Sequence, residues 1–274
     1  MTKTSRLSKI YIALVFAFLY APMVVTMVFS FNGSDSTYIL DGFSNQWYLK
    51  LFHDSVTVNA LKNTVILAVV SAIIATVMGT MAAVGIDSLK KKRIKSAVMA
   101  VTNIPMMNPE IVTGISMMLL FVFAGSLLGR KDTLGFGTIL IAHISFQLPY
   151  VILSVLPKLR QTDRRIYEAA QDLGCPPVQA FFKVVFPQIL PGVISGAIMA
   201  FTLSLDDFII SYFTNGPSFQ TLPIHIFSMT KKRVKPDMYA LSTLMFAAIF
   251  ILLIVMNVVQ AKSDKKQRNA KGEI

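Results

Sequence analysis

The usual sources of redox and metal chemistry are nearly missing from this sequence. It has a single cysteine, Cys175, and three histidines, His53, His143 and His225. One thiol excludes an internal disulfide framework and any CxxC metal or redox pair. Three histidines scattered this widely do not compose a metal site. Charge is also sparse: Asp, Glu, Lys and Arg make up 15% of the 274 residues, against roughly a quarter in soluble globular domains. No GxxxxGK[ST] phosphate loop, no HExxH and no GxSxG occurs, so no catalytic residue, metal or cofactor site is expected on this chain.

Apolar residues take the place of charge. They form 54% of the chain, with a mean hydropathy of +0.61. Several runs approach the ~20 residues that span a bilayer. They predict an all-α integral membrane protein, a single transmembrane domain over 1–274 with six helices at about 10–31, 58–86, 96–124, 137–156, 191–213 and 238–260. Pro105 and Pro109 interrupt the third. The N-terminal run lacks a clear small-residue cleavage site and contains Pro22, so it reads as a span and not as a cleavable signal peptide. Ser71, Ala75, Gly79 and Ala83 recur every four residues, and Gly192 and Gly196 form a GxxxG. Small residues at this spacing let helix backbones approach closely in lipid.

The basic residues orient the spans. With both termini inside, the inner segments carry Lys3, Arg6 and Lys9, then the run from Lys90 to Lys95, then Lys158, Arg160, Arg164, Arg165 and Lys183, and finally Lys262 to Lys271. These are most of the 26 Lys and Arg, as the positive-inside rule requires. The outer cluster Lys231, Lys232, Arg233 and Lys235 opposes the rule locally. The net charge of +12 is thereby accounted for by topology and anionic lipid, with no nucleic-acid partner.

The segment at about 158–187 is the longest polar loop between spans. Thr162 or Asp163 can cap a helix start, Ile166, Ala169, Ala170 and Leu173 then share one face, and Gly174 is a natural stop. Pro176 and Pro177 suit the first turn of a second short helix, Val178 to Phe186, which Pro187 should end. The pattern describes a helical hairpin. It is either a docking surface, with Ala169 and Ala170 leaving room for a partner and Glu168 on the rim, or an amphipathic hairpin that only anchors the loop.

Three carboxylates lie within apolar spans. Asp206 and Asp207 precede Tyr212, the outer end of the fifth span, by about six residues. Intramembrane carboxylates are costly and face a bundle interior or a water-filled path. Ser204, Asp207 and Ser211 share a helical face, with Asp206 about 100° away. Adjacent carboxylates repel, and a bound ammonium relieves them. Tyr150, Phe146 and Gln147 on the fourth span could line such a path, the alternative being bundle packing. The alternative is that one Asp pairs with a cation or caps a helix break. Asn108-Pro109-Glu110 is equally two-sided. It is a helix-start signal, and a broken helix in mid-membrane is also where transport sites form. His143 reads as a buried, hydrogen-bonded residue, Trp47 and Tyr48 as interfacial anchors, and Asn32-Gly33-Ser34 as a chance glycosylation match.

Glu168-Ala169-Ala170, Gly174 and Val184-x-Phe186-Pro187 together resemble the EAA signature of ABC importer permeases, the binding-protein-dependent, MetI-like family. That signature ends Ile-x-Leu-Pro, so Val184 and Phe186 are apolar replacements. Cys175-Pro176-Pro177 is a less usual turn. Ser204-Leu205-Asp206-Asp207-Phe208, Gly216-Pro217-Ser218-Phe219, Leu222-Pro223 and Asn108-Pro109-Glu110-Ile111-Val112 look like the spermidine/putrescine permeases of that family, with Glu110 where the pattern favours Asp. The resemblance implies a MetI-like fold and a permease subunit that moves polyamines across a bacterial cell membrane, both termini cytoplasmic. It also implies a PotB-like second permease subunit, two PotA-like ATPase subunits that use ATP and Mg, and a PotD-like extracellular polyamine-binding protein. Docking would fall to Arg165, Glu168, Ala169, Ala170, Gly174 and Pro187, and the substrate path to Asp206, Asp207, Glu110, Ser204, Ser211 and Tyr150. The alternatives are the same architecture with another cationic or small polar solute, or a secondary transporter.

Overall fold

The computed structural model describes residues 6–34, 39–130, 132–217, 219–231 and 236–270. Lys3, Lys131, Ser218, Lys232, Arg233, Lys235 and Lys271 therefore lie outside the described residues. The described chain is helical almost throughout, and its only extended pairing is an isolated bridge between Asn32 and Phe43. The helices are α1 (Arg6–Phe29), α2 (Gln46–His53), α3 (Ser55–Ser88), α4 (Lys92–Met107), α5 (Glu110–Leu127) and α6 (Phe136–Gln161). They continue as α7 (Arg164–Asp172), α8 (Pro177–Ala180), α9 (Phe186–Asp206), α10 (Ile209–Thr214), α11 (Leu222–Thr230) and α12 (Pro236–Ala270). The chain divides into two compact units: Met1–Asn59 with His225–Leu252, and Ala60–Ile224 with Leu253–Ile274.

The second unit is built on α6, and the small residues of α3 and α9 explain why. A Cβ added at Gly79 would lie 2.6 Å from Val151 Cγ1, and one at Gly192 would lie 2.8 Å from the Ser154 carbonyl oxygen. Gly196 is nearly as tight, 3.2 Å from Val151 Cγ1. Close backbone approach gives these helices the dispersion contacts that replace water expulsion in lipid. Ala72, Ala75, Ala83, Val151, Val155, Ile189 and Ala200 form the buried seam.

In the first unit Trp47 is buried and donates its indole N–H to the Asn32 carbonyl at 2.7 Å, while Tyr48 pairs with Ser30 Oγ at 2.6 Å. Both side chains are thus tied into the packing of this unit. Asn32 is also buried, its Oδ1 accepting from Asp41 N at 2.8 Å and its Nδ2 donating to the Ile39 carbonyl. The sequon asparagine is consumed in closing a loop. Asp54 caps α3 through the amides of Val56 and Thr57 and the Thr57 hydroxyl. These bonds, the hydroxyl foremost, hold its carboxyl below the usual range. His225 lies 3.2 Å from the same hydroxyl, and burial pushes its imidazole down despite the opposing pull of Asp54 and Asp237.

Among the described residues, five helices are long and apolar enough to cross a membrane. The expected sixth appears as the shorter apolar stretch Pro236–Ile251 within the 35-residue α12. The third span is two helices, because Asn108 and Pro109 adopt extended backbone. The fifth begins earlier and ends differently than its hydropathy indicates. Pro187 does not end a short helix: Phe181–Val185 widens into a π-turn, with Phe186 N bonded to the Phe181 carbonyl, and the helix runs on. The wide turn shifts the hydrogen-bond register so that the missing amide of Pro187 is tolerated at the start of α9. At the other end the helix breaks at Asp207 and resumes as α10.

Candidate functional site

Two helix breaks face each other across one cavity. The Asn108–Pro109 break starts α5 with Glu110, and the Asp207–Phe208 break separates α9 from α10. Between them lies a cavity of ≈ 560 Å³ whose walls include Glu110, Asp206, Asp207, Phe146, Tyr150 and Phe208. Side chains from three helices, α5, α6 and α9, and from the Asp207–Phe208 break therefore bring three carboxylates and three aromatic rings together.

The three acids are not equivalent. Glu110 and Asp206 are exposed, and among the described residues neither has a hydrogen bond or an ion pair. Asp207 is committed to the fold. Its Oδ2 accepts from Ser211 N at 2.7 Å and its Oδ1 from Ile210 N at 3.3 Å, satisfying the orphan amides of the first turn of α10. The same Oδ2 lies 3.4 Å from His143 Nε2, and the side chain is only 6% exposed. The capping alternative thus describes Asp207, and the two free carboxylates are Glu110 and Asp206.

Ser204 and Ser211 do not line the cavity. Both are buried and turn toward His143 on α6, at 2.7 Å to Nδ1 and 3.0 Å to Nε2 respectively. Ser71 on α3 donates to Ser204 at 3.3 Å, and Gln147 Nε2 donates to Ser71 at 3.0 Å. The shared face of Ser204, Asp207 and Ser211 exists, but the break and the histidine turn it into a buried polar cluster behind the cavity wall. His143 is buried and hydrogen-bonded, as its sequence context indicates, and both its bonds go to the two serines flanking Asp207, which that context does not reveal. Their spacing on either side of that acid was the available signal.

The polar loop folds as a hairpin. Asp163 caps α7 by accepting from Arg165 N at 2.9 Å, and Gly174 at φ +83° ends the helix, its amide bonded to the Gln171 carbonyl. Ile166 and Leu173 are exposed, Leu173 by 89%, together with Ala169, and Ala170 is half-buried. Glu168 and Tyr167 line a hollow of ≈ 330 Å³ with Asp87, Ser88, Phe181 and Val185. Arg165, Gly174 and Pro187 are exposed around it, outside the hollow itself. Asp87 is held by Lys95 at 2.9 Å and Asp163 caps α7, so among the described residues Glu168 is the carboxylate in that wall without a partner.

An all-helical chain with broken apolar helices around a charged cavity, and a polar hairpin ahead of the last broken one, is a membrane permease in class. The chain belongs to the family of binding-protein-dependent transport system inner membrane components, which matches residues 75–269. It is 36% identical over 252 residues to the putrescine transport system permease protein PotI of Escherichia coli K12, covering 92% of this chain and 90% of that one. It is 35% identical to the spermidine/putrescine transport system permease protein PotC of Haemophilus influenzae, covering 91% and 95%. A bacterial alginate ABC transporter, solved in complex with an alginate pentasaccharide-bound periplasmic protein, has a chain of the same fold, with a TM-score of 0.66 at 16% identity over 96% of this chain and 93% of that one. Membership of this family makes the chain a transport component and sets aside the secondary transporter.

Proposed function

We propose that this chain is a permease subunit of an ATP-driven importer of polyamines, putrescine and spermidine among them. The observation that carries the reading is the cavity with two unpaired carboxylates, Glu110 and Asp206, beside Phe146, Tyr150 and Phe208. A polyamine presents ammonium groups separated by methylenes. The carboxylates suit the ammonium groups, and the rings suit the methylenes and add cation–π attraction. The names of the relatives agree with this chemistry. An anionic solute would be repelled by the two carboxylates, and an uncharged one would leave them without a counter-charge.

The chain has no nucleotide-binding motif, so ATP and Mg belong to a separate ATPase, which we place on the hairpin. The exposed Ile166, Ala169 and Leu173 and the free Glu168 support that placement, and both termini would share its cytoplasmic side. The partners of this reading are a second, PotB-like permease subunit, two PotA-like ATPases and a PotD-like binding protein outside the membrane. Uptake of labelled putrescine and spermidine into vesicles carrying the whole complex tests it. Polyamine-dependent ATPase stimulation and uptake are expected. Stimulation by an uncharged solute and none by polyamines would refute the substrate assignment.

A further inference from the structure

The buried cluster behind the cavity wall has a role that the substrate-facing residues do not account for. His143 is fully buried on α6, and its two ring nitrogens reach opposite sides of the α9–α10 break. Nδ1 meets Ser204, in the last turn of α9, and Nε2 meets Ser211 and Asp207, which belong to the start of α10. Gln147 donates to Ser71, and Ser71 Oγ lies 3.3 Å from both the Ser204 hydroxyl and the Ala68 carbonyl, so the imidazole belongs to a buried polar network that ties α3, α6 and the break together. A second tie acts at the far end of α10, where Thr138 Oγ1, also on α6, reaches the Thr214 carbonyl at 3.0 Å.

No proline or glycine lies between Leu203 and Asn215, so nothing local forces the helix to break there. The sequence around it is apolar and would extend as one helix. What holds the break is Asp207 capping α10 while the imidazole bridges both half-helices. Asp206 is the last residue of α9, immediately before the break. Its projection into the cavity is set by where α9 stops.

We propose that His143 is a positioning residue for the substrate site: it staples the two half-helices to α6 and thereby fixes where the Asp206 carboxylate stands opposite Glu110. The consequence for transport rests on the reading that these two carboxylates face the substrate, whereas the consequence for helix geometry does not. The two can therefore fail separately.

The test uses the assembled complex, with this chain in a Cys175→Ser background and spin labels at Met199→Cys on α9 and Tyr212→Cys on α10. Both positions are exposed, at 42% and 44%, and neither lines the cavity. The parent should give one narrow interspin distance. His143→Phe, which keeps bulk and removes both bonds, should broaden or shift it and raise the KM for putrescine uptake at least tenfold, with the amount of assembled complex retained. Ser211→Ala deletes a single arm of the staple and should move both readouts in the same direction by less, which keeps the test decisive if His143→Phe does not assemble. An interspin distance as narrow as the parent's overturns the stapling. A changed distance with an unchanged KM overturns its link to the site.

Discussion

Asp206 and Asp207 are neighbours in sequence, and the structure gives them different consequences on neutralisation. Asn is nearly isosteric with Asp, so each substitution removes one charge with little change in shape. At Asp206 the carboxylate is exposed to the cavity and makes no internal bond. A charge-assisted contact with an ammonium is worth roughly 1.5–3 kcal/mol, which corresponds to about a 10- to 150-fold change in apparent affinity. Asp206→Asn should therefore raise the KM for polyamine uptake by that factor and leave complex assembly and thermal stability near the parent's. At Asp207 the carboxylate accepts two backbone amides at the start of α10 and lies beside His143. Asn keeps one acceptor oxygen, and losing the cap costs about 0.5–2 kcal/mol. Asp207→Asn should lower the unfolding temperature of the detergent-solubilised complex, with a smaller KM effect. Glu110→Gln should be milder than Asp206→Asn if the residue mainly favours the start of α5, since that dipole interaction is about 0.3–1 kcal/mol. Uptake kinetics and thermal unfolding on the same preparations decide the matter. Parental KM in Asp206→Asn, or a KM effect at Asp207→Asn with unaltered stability, would refute the division of roles.

Glu168→Lys, or a bulky residue at Gly174, should uncouple uptake from ATP hydrolysis while the spans stay folded; at Gly174 the φ of +83° adds about 1–2 kcal/mol of local strain for a residue with a Cβ. Normal ATPase co-purification and normal transport in both variants would count against the docking surface. Cysteine labels at Lys92 and Arg165 should react from the cytoplasmic side and one at Lys50 from outside, and outside labelling at Arg165 would reverse the assigned orientation. Acidification should loosen the Asp54–Thr57–His225 contact in two stages. The folded imidazole resists the proton that the unfolded one accepts, so its stabilisation is present above the ordinary value of 6.5 and shrinks as pH falls below it. The carboxyl of Asp54 holds its contribution above 3.8 and loses it only as pH drops through its lowered folded value. The protection factor at the start of α3, exchange corrected for its intrinsic pH dependence, should fall between pH 7.5 and 5.5 in the parent and stay flat in His225→Gln.

What could be read from the sequence was what local chemistry dictates. Asp163 caps and Gly174 stops because their own side chain, or lack of one, satisfies the helix end. Pro109 breaks the third span for the same kind of reason. The placing of Glu110, Asp206 and Asp207 at one cavity follows from the cost of burying charge in apolar spans. The misreadings came where distant residues decide. Leu205-Asp206-Asp207-Phe208 contains no breaker, and its break depends on His143, far off in sequence. Ser204 and Ser211 were placed on the path because their shared face was visible and the imidazole behind it was not. Pro187 looked like a terminator because a π-turn cannot be inferred from propensity.

The π-turn at Phe181–Val185 makes Pro177–Asp206 one 30-residue helix. At 1.5 Å per residue that is a rod of about 45 Å. One end of it is the second arm of the exposed hairpin, and the other ends at the carboxylate of Asp206. No loop intervenes between the two, and Gly192 and Gly196 seat this helix closely against α6. The hairpin and the cavity wall are thereby joined by continuous helical backbone. Had Pro187 ended the helix, a joint would separate them.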